Sequence, residues 1–114
     1  MDTKHFKAVE LACRCCGSYV PNTALLMVLE HVREHFNVPV NINCSTRCSL
    51  HNNEVGGALN SWHLTGHAAD ITVQGVDPSK VYRYLDGRSY SDLLGLSCYS
   101  TFVHVDTRGK RARW

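Results

Sequence analysis

The sequence predicts an α+β domain, with about two main helices against a small, largely antiparallel sheet. Three observations predict it. Leu25, Leu29, Val32 and Phe36 recur at i, i+4, i+7 and i+11, the period of a helix with one buried face. A second helix start stands at Asp77-Pro78, where Asp is a favoured N-cap and Pro a favoured first residue. Short apolar or alternating runs at 38–43, 68–73 and 102–106 read as strands.

Residues 1–21 hold Cys13, Cys15, Cys16, Gly17 and Pro21 without a sustained period, and read as a loop-rich opening with at most a short helix. Asn22 can cap the first helix, expected over 22–36, whose charged face carries Glu30, Arg33 and Glu34. His31 and His35 lie i, i+4 on it, a spacing that can bind metal. They lack the zincin arrangement of Glu between them and are read as surface histidines. The strand at 38–43 leads into a polar stretch, 44–60, expected to be a long loop; loops longer than ~12 residues are usually functional.

In the strand at 68–73, Asp70 and Thr72 share one face, and Ala69, Ile71 and Val73 the other. The second helix buries Val81 and Leu85 and ends at Gly87, and 92–99 is a connection or short strand. In the last strand Val103 and Val105 face the core, so Phe102, His104 and Asp106 project together.

The chain has 114 residues, 44% hydrophobic and 19% charged, which fits one soluble globular domain over 1–114 with a Cys-containing opening at 1–21. A net charge of +2 is too small to argue for nucleic acid. The basic run 108–113 is read as a solvated end in preference to a contact with an anionic surface. No apolar stretch suits a signal peptide or approaches the ~20 residues of a membrane span. A protein made in the cytoplasm, monomeric and not inserted in membranes, is expected. If it works at the cell wall, it must be released or delivered there.

The chemistry concentrates in Ser61-Trp62-His63-Leu64-Thr65-Gly66-His67-Ala68-Ala69-Asp70. Zn²⁺ takes neutral His nitrogen and Asp oxygen, and catalytic sites usually keep three protein ligands with one position open. His63 and Asp70 supply two, and His104, in Phe102-Val103-His104-Val105-Asp106, is the candidate third.

Ser-x-His-x-x-Gly-x-Ala-x-Asp followed by Phe-Val-His-Val-Asp resembles the zinc D-Ala-D-Ala carboxypeptidases of the cell wall, most closely their small phage-type members. The likeness extends over most of the chain. It includes the Cys-rich opening at 6–17, the stretch 42–52 with Arg47 and His51-Asn52, Val55-Gly56-Gly57, and the Arg113-Trp114 ending.

The resemblance implies the fold shared with hedgehog-type zinc domains, the zinc site lying on the sheet face. It also implies Zn²⁺ held by His63, Asp70 and His104, and a peptidoglycan stem or crosslink peptide as substrate. Arg47 matches the arginine that holds a substrate carboxylate, for which a guanidinium fork is suited. Ser61 and Tyr99 are expected on the substrate side; their other roles are shaping the local backbone and packing in the core, respectively. His67 is read as a local hydrogen-bonding residue.

The sequence departs from better-known relatives at Thr101 and Phe102, where those place an acidic residue or a histidine; neither can act as a base. Asp106 is the nearest acidic candidate for the catalytic base, as in small phage-type members. Pairing with Arg108 is its alternative role.

The reading that follows is a zinc peptidase of peptidoglycan, a D,D-carboxypeptidase or endopeptidase of phage or prophage lysis type. Against it stands a module that keeps zinc without hydrolysis, as hedgehog domains do. A third reading gives the metal to cysteines alone. Cys13, Cys15, Cys16, Cys44, Cys48 and Cys98 admit a disulfide framework, a second structural zinc or reduced thiols. The lack of C-x₂-C spacing leaves reduced thiols as the default.

Overall fold

The computed structural model describes residues 4–7, 11–12, 22–44 and 67–114. Helix α1 spans Thr23–Phe36. It begins where the sequence places a cap: Asn22 is extended, and its side-chain oxygen accepts the Leu25 N–H at 2.9 Å. It ends at Asn37, in the left-handed conformation (φ 54°), whose N–H donates to the Arg33 carbonyl.

Leu25, Leu26, Val28, Leu29 and Val32 form its buried face. Phe36 is only partly buried at the margin of that face. Asn22→Ala is expected to cost about 1 kcal/mol, the usual worth of a side-chain N-cap. A lowered midpoint with an unchanged slope in urea denaturation would show it.

Strand β1 is Val40–Cys44 and β2 is Ala68–Val73. Helix α2, Pro78–Asp86, starts behind Asp77, whose side chain accepts the Ser79 N–H, and it buries Val81 and Leu85. The Ser79 backbone and hydroxyl hydrogen bonds hold the Asp77 carboxyl below its ordinary pKa. Gly75 (φ 72°) makes the turn before it.

A 3₁₀ turn at Ser91–Leu93 follows, then β3 (Gly95–Cys98), β4 (Val103–Asp106) and β5 (Ala112–Arg113). Among the described residues the sheet order is β1-β2-β4-β3-β5, antiparallel except for the parallel β3–β5 edge. The α+β class is as predicted. The stretch 92–99 divides into a turn and a strand, and β5, a two-residue strand, was not foreseen.

One face of the sheet is apolar. Val40, Ile42, Ala69, Ile71, Val73, Leu96, Val103 and Val105 pack with Leu25, Leu29, Val32, Val81 and Leu85 in one core. Phe6 and Leu11 join it from the N-terminal segment. The His5 N–H and ring nitrogen pin that segment to Glu30, at 2.8 and 2.6 Å.

His31 and His35 are exposed, as expected, although each has an aromatic partner. The His31 ring nitrogen lies 2.9 Å from the Tyr90 hydroxyl, and His35 stacks on Tyr84. The basic run is only partly a solvated end: Lys110 and Arg111 are exposed, but its arginines also make ion pairs. Arg111 reaches Asp86 and Asp92, and Arg113 reaches Asp86 and the Leu94 carbonyl. The acidic partners come from α2 and the 3₁₀ turn, so proximity in the chain could not announce them.

Candidate metal centre and its aromatic wall

The second sheet face carries the chemistry. Residues directly opposite in an antiparallel pair project to the same side. Asp70 lies opposite His104 across β2 and β4, and His104 lies opposite Ser97 across β4 and β3. Asp106 shares this face two residues along, opposite Ala68 and Gly95. The alternation that sends Val103 and Val105 into the core therefore sends His104 and Asp106 to the site.

His104 is held from both sides. Its Nδ1 is 3.0 Å from Asp70 Oδ1, and its Nε2 is 2.7 Å from Asp106 Oδ2. An Nε2–H donated to Asp106 leaves the Nδ1 lone pair facing a carboxylate oxygen. Two electron-rich atoms at that separation need a proton or a cation between them. Ligands of a tetrahedral zinc, each at ~2.0–2.1 Å from it, stand about 3.3 Å apart, close to the separation found. The pair thus has the spacing of two zinc ligands, and Asp106 would then be the outer carboxylate that sets the histidine's tautomer and orientation.

Asp106 is fully buried, and Arg108 clamps it with a fork: Nε to Oδ1 and Nη2 to Oδ2, both at 2.7 Å. Burial by itself pushes the carboxyl's pKa up. The Arg108 and His104 hydrogen bonds and their charges outweigh burial and hold it well below the usual carboxylate range. Arg108 is correspondingly pushed up by its bond to Asp106. Both oxygens of this carboxylate are thus already engaged in hydrogen bonds.

Gly95 makes the clamp possible. A Cβ at this buried position would lie 2.5 Å from both Asp106 oxygens and 2.6 Å from Arg108 Nε.

An aromatic wall stands beside His104. The Trp114 ring lies 5.1 Å from the imidazole, centre to centre, with the Arg108 guanidinium 4.9 Å from the Trp114 centroid. Ser97 Oγ donates to the Trp114 carbonyl (2.9 Å), and Trp114 Nε1 donates to the Tyr99 hydroxyl (3.3 Å). The turn between β3 and β4 stacks Tyr99 on Phe102, 4.5 Å apart, its N–H donating to the Phe102 carbonyl. Trp114 and Tyr99 remain 56% and 43% exposed, so they border the site without being absorbed into the core.

Of the residues singled out in the sequence, the structure brings Asp70, His104 and Asp106 together and sets Tyr99 nearby through Trp114. His63, Arg47 and Ser61 lie outside the described residues, as do Cys13, Cys15, Cys16 and Cys48. Cys98 is an exposed free thiol. Among the described residues no group of three or more His, Cys, Asp or Glu side chains stands ready for a metal. Sequence reasoning missed Trp114 as a member of the site. Its signals were the Arg113-Trp114 ending within the family resemblance and an aromatic at the end of the basic run, neither of which carries a spacing relation to His104.

Among curated proteins none matches the sequence. The profile of one family, described as Peptidase M15, matches residues 4–106 and so takes in β2 and β4 with Asp70 and His104. With nearly the whole chain matched, this protein belongs to the peptidase M15 family, a family of zinc-dependent peptidases.

Proposed function

We propose that this zinc peptidase hydrolyses D-amino-acid-containing peptide bonds of bacterial peptidoglycan, as a D,D-carboxypeptidase or an endopeptidase of phage or prophage lysis type. The observation that carries the reading is the Asp70–His104 pair, 3.0 Å apart on adjacent strands with Asp106 behind the histidine. His63, at the start of the motif ending in Asp70, is the third ligand. The chemistry that bound zinc supplies is Lewis acidity, toward water and toward the scissile carbonyl.

The chain's own groups do the rest. Asp70 and His104 hold two coordination positions from rigid strands, and Asp106 fixes the imidazole through Nε2. Arg47 takes a carboxylate of the stem peptide, and Ser61 and Tyr99 serve as further substrate-binding residues. Asp106 enters this reading as a positioning residue, not as the proton acceptor, because Arg108 already engages both of its oxygens. That same commitment favours, as a second reading, a domain that keeps zinc and binds wall peptides without cutting them.

Elemental analysis of wild type and His63→Ala, paired with mass spectrometry of digested peptidoglycan, tests both. Near one zinc per chain, lost in the variant, with new peptide termini only for wild type, is the expected result. Zinc without new termini would select the second reading. Zinc retained by His63→Ala would remove the metal from this face.

A further inference from the structure

The polar atoms of Trp114 and the Arg108 fork are already engaged. Trp114 Nε1 is donated to Tyr99, the Trp114 carbonyl accepts from Ser97, and the Arg108 fork is closed on Asp106. What the wall offers beside His104 is therefore ring surface, with neither a free charge nor an indole donor. Its position is over-determined: β5 pairs with β3 just before Trp114, Ser97 holds its backbone carbonyl, and the cation–π contact and the Nε1–Tyr99 hydrogen bond brace the ring. An aromatic held this firmly, yet more than half exposed next to the candidate metal ligands, has the character of an interface anchor. Such an anchor loses little side-chain freedom when it is covered.

We infer that Trp114 is a specificity-determining residue of this site: with Tyr99 it forms the wall against which an apolar side chain of the bound peptide packs, next to the scissile bond. The inference rests on the peptidase reading and deepens it. For a peptidoglycan stem the chemistry selected is a small aliphatic group, the methyl of an alanine. Tyr99, whose hydroxyl accepts from the indole, keeps its own proton to donate to a peptide carbonyl.

The test is steady-state cleavage of synthetic stem peptides carrying either D-alanine or glycine at the residues flanking the scissile bond. Wild type, Trp114→Ala and Trp114→Phe are compared, with zinc content and thermal midpoint measured for each. Trp114→Ala is expected to raise KM about tenfold or more toward the alanine peptide, the usual scale of a truncated anchor, with zinc content unchanged and kcat altered less. Trp114→Phe should recover most of the loss.

Wild type should prefer alanine over glycine, and Trp114→Ala should lose that preference, a coupling that a purely structural role would not produce. An unchanged preference in Trp114→Ala would overturn the inference. So would a KM effect confined to substrates that carry the glycan, which would assign the wall to a sugar ring. If wild type cleaves no peptide at all, the peptidase reading fails by itself. Calorimetric binding of the same two peptides to wild type and Trp114→Ala then still decides whether the wall contacts the alanine.

Discussion

Asp106→Ala is expected to be among the most damaging single substitutions in the chain, and in two separable ways. It leaves Arg108, whose side chain is only 16% exposed, without its carboxylate. Breaking one half of a buried pair typically costs about 3–5 kcal/mol, because the remaining charge loses its counter-ion. It also removes the acceptor that orients His104, and loss of such outer-shell partners commonly costs about 10–100-fold in metal affinity. Urea denaturation reads the first effect and chelator competition for zinc reads the second.

A companion variant, Asp106→Ala/Arg108→Met, separates them. Deleting both charges should restore much of the stability while zinc affinity stays low. Recovery of zinc affinity along with stability would show that Asp106 serves only to neutralise Arg108, and its positioning role would be withdrawn.

Gly95→Ala is expected to have a comparable effect from a residue with no chemistry of its own. The added Cβ would sit 2.5 Å from both Asp106 oxygens, so the carboxylate, the guanidinium or the β3–β4 register must move. Overpacking in a well-filled interior costs roughly 1–3 kcal/mol, and displacing the ion pair adds to that. The loss should appear in the urea midpoint and in zinc affinity together, because the displaced group is the one holding His104.

The two substitutions share a partner, so they should not add. Gly95→Ala/Asp106→Ala is expected to be little worse than Asp106→Ala, since the methyl no longer has a carboxylate to strike. Full additivity would mean that the glycine is needed for some other reason.

Much of this architecture was legible before any fold was known, and for identifiable reasons. Asn22 and Asp77 announce α1 and α2 through local capping chemistry, and Leu25, Leu29 and Val32 give the period of the buried face. The alternation Val103-His104-Val105-Asp106 assigned His104 and Asp106 to one face, and the pairing with β2 places Asp70 on that face too. These are short-range signals, carried by residues within a few positions of one another.

What the sequence by itself determined was thus the element types, the polar face of each central strand and the motif that marks the family. The tertiary structure decided the partners: that Asp106 is engaged by Arg108 and His104 at once, and that Gly95 clears space for that clamp. It decided as well that a two-residue β5 pairs in parallel with β3 and sets Trp114 beside His104. The physical reason is that such contacts join groups from different strands, and their strength depends on distance and burial. Neither quantity exists in the chain until the sheet has formed.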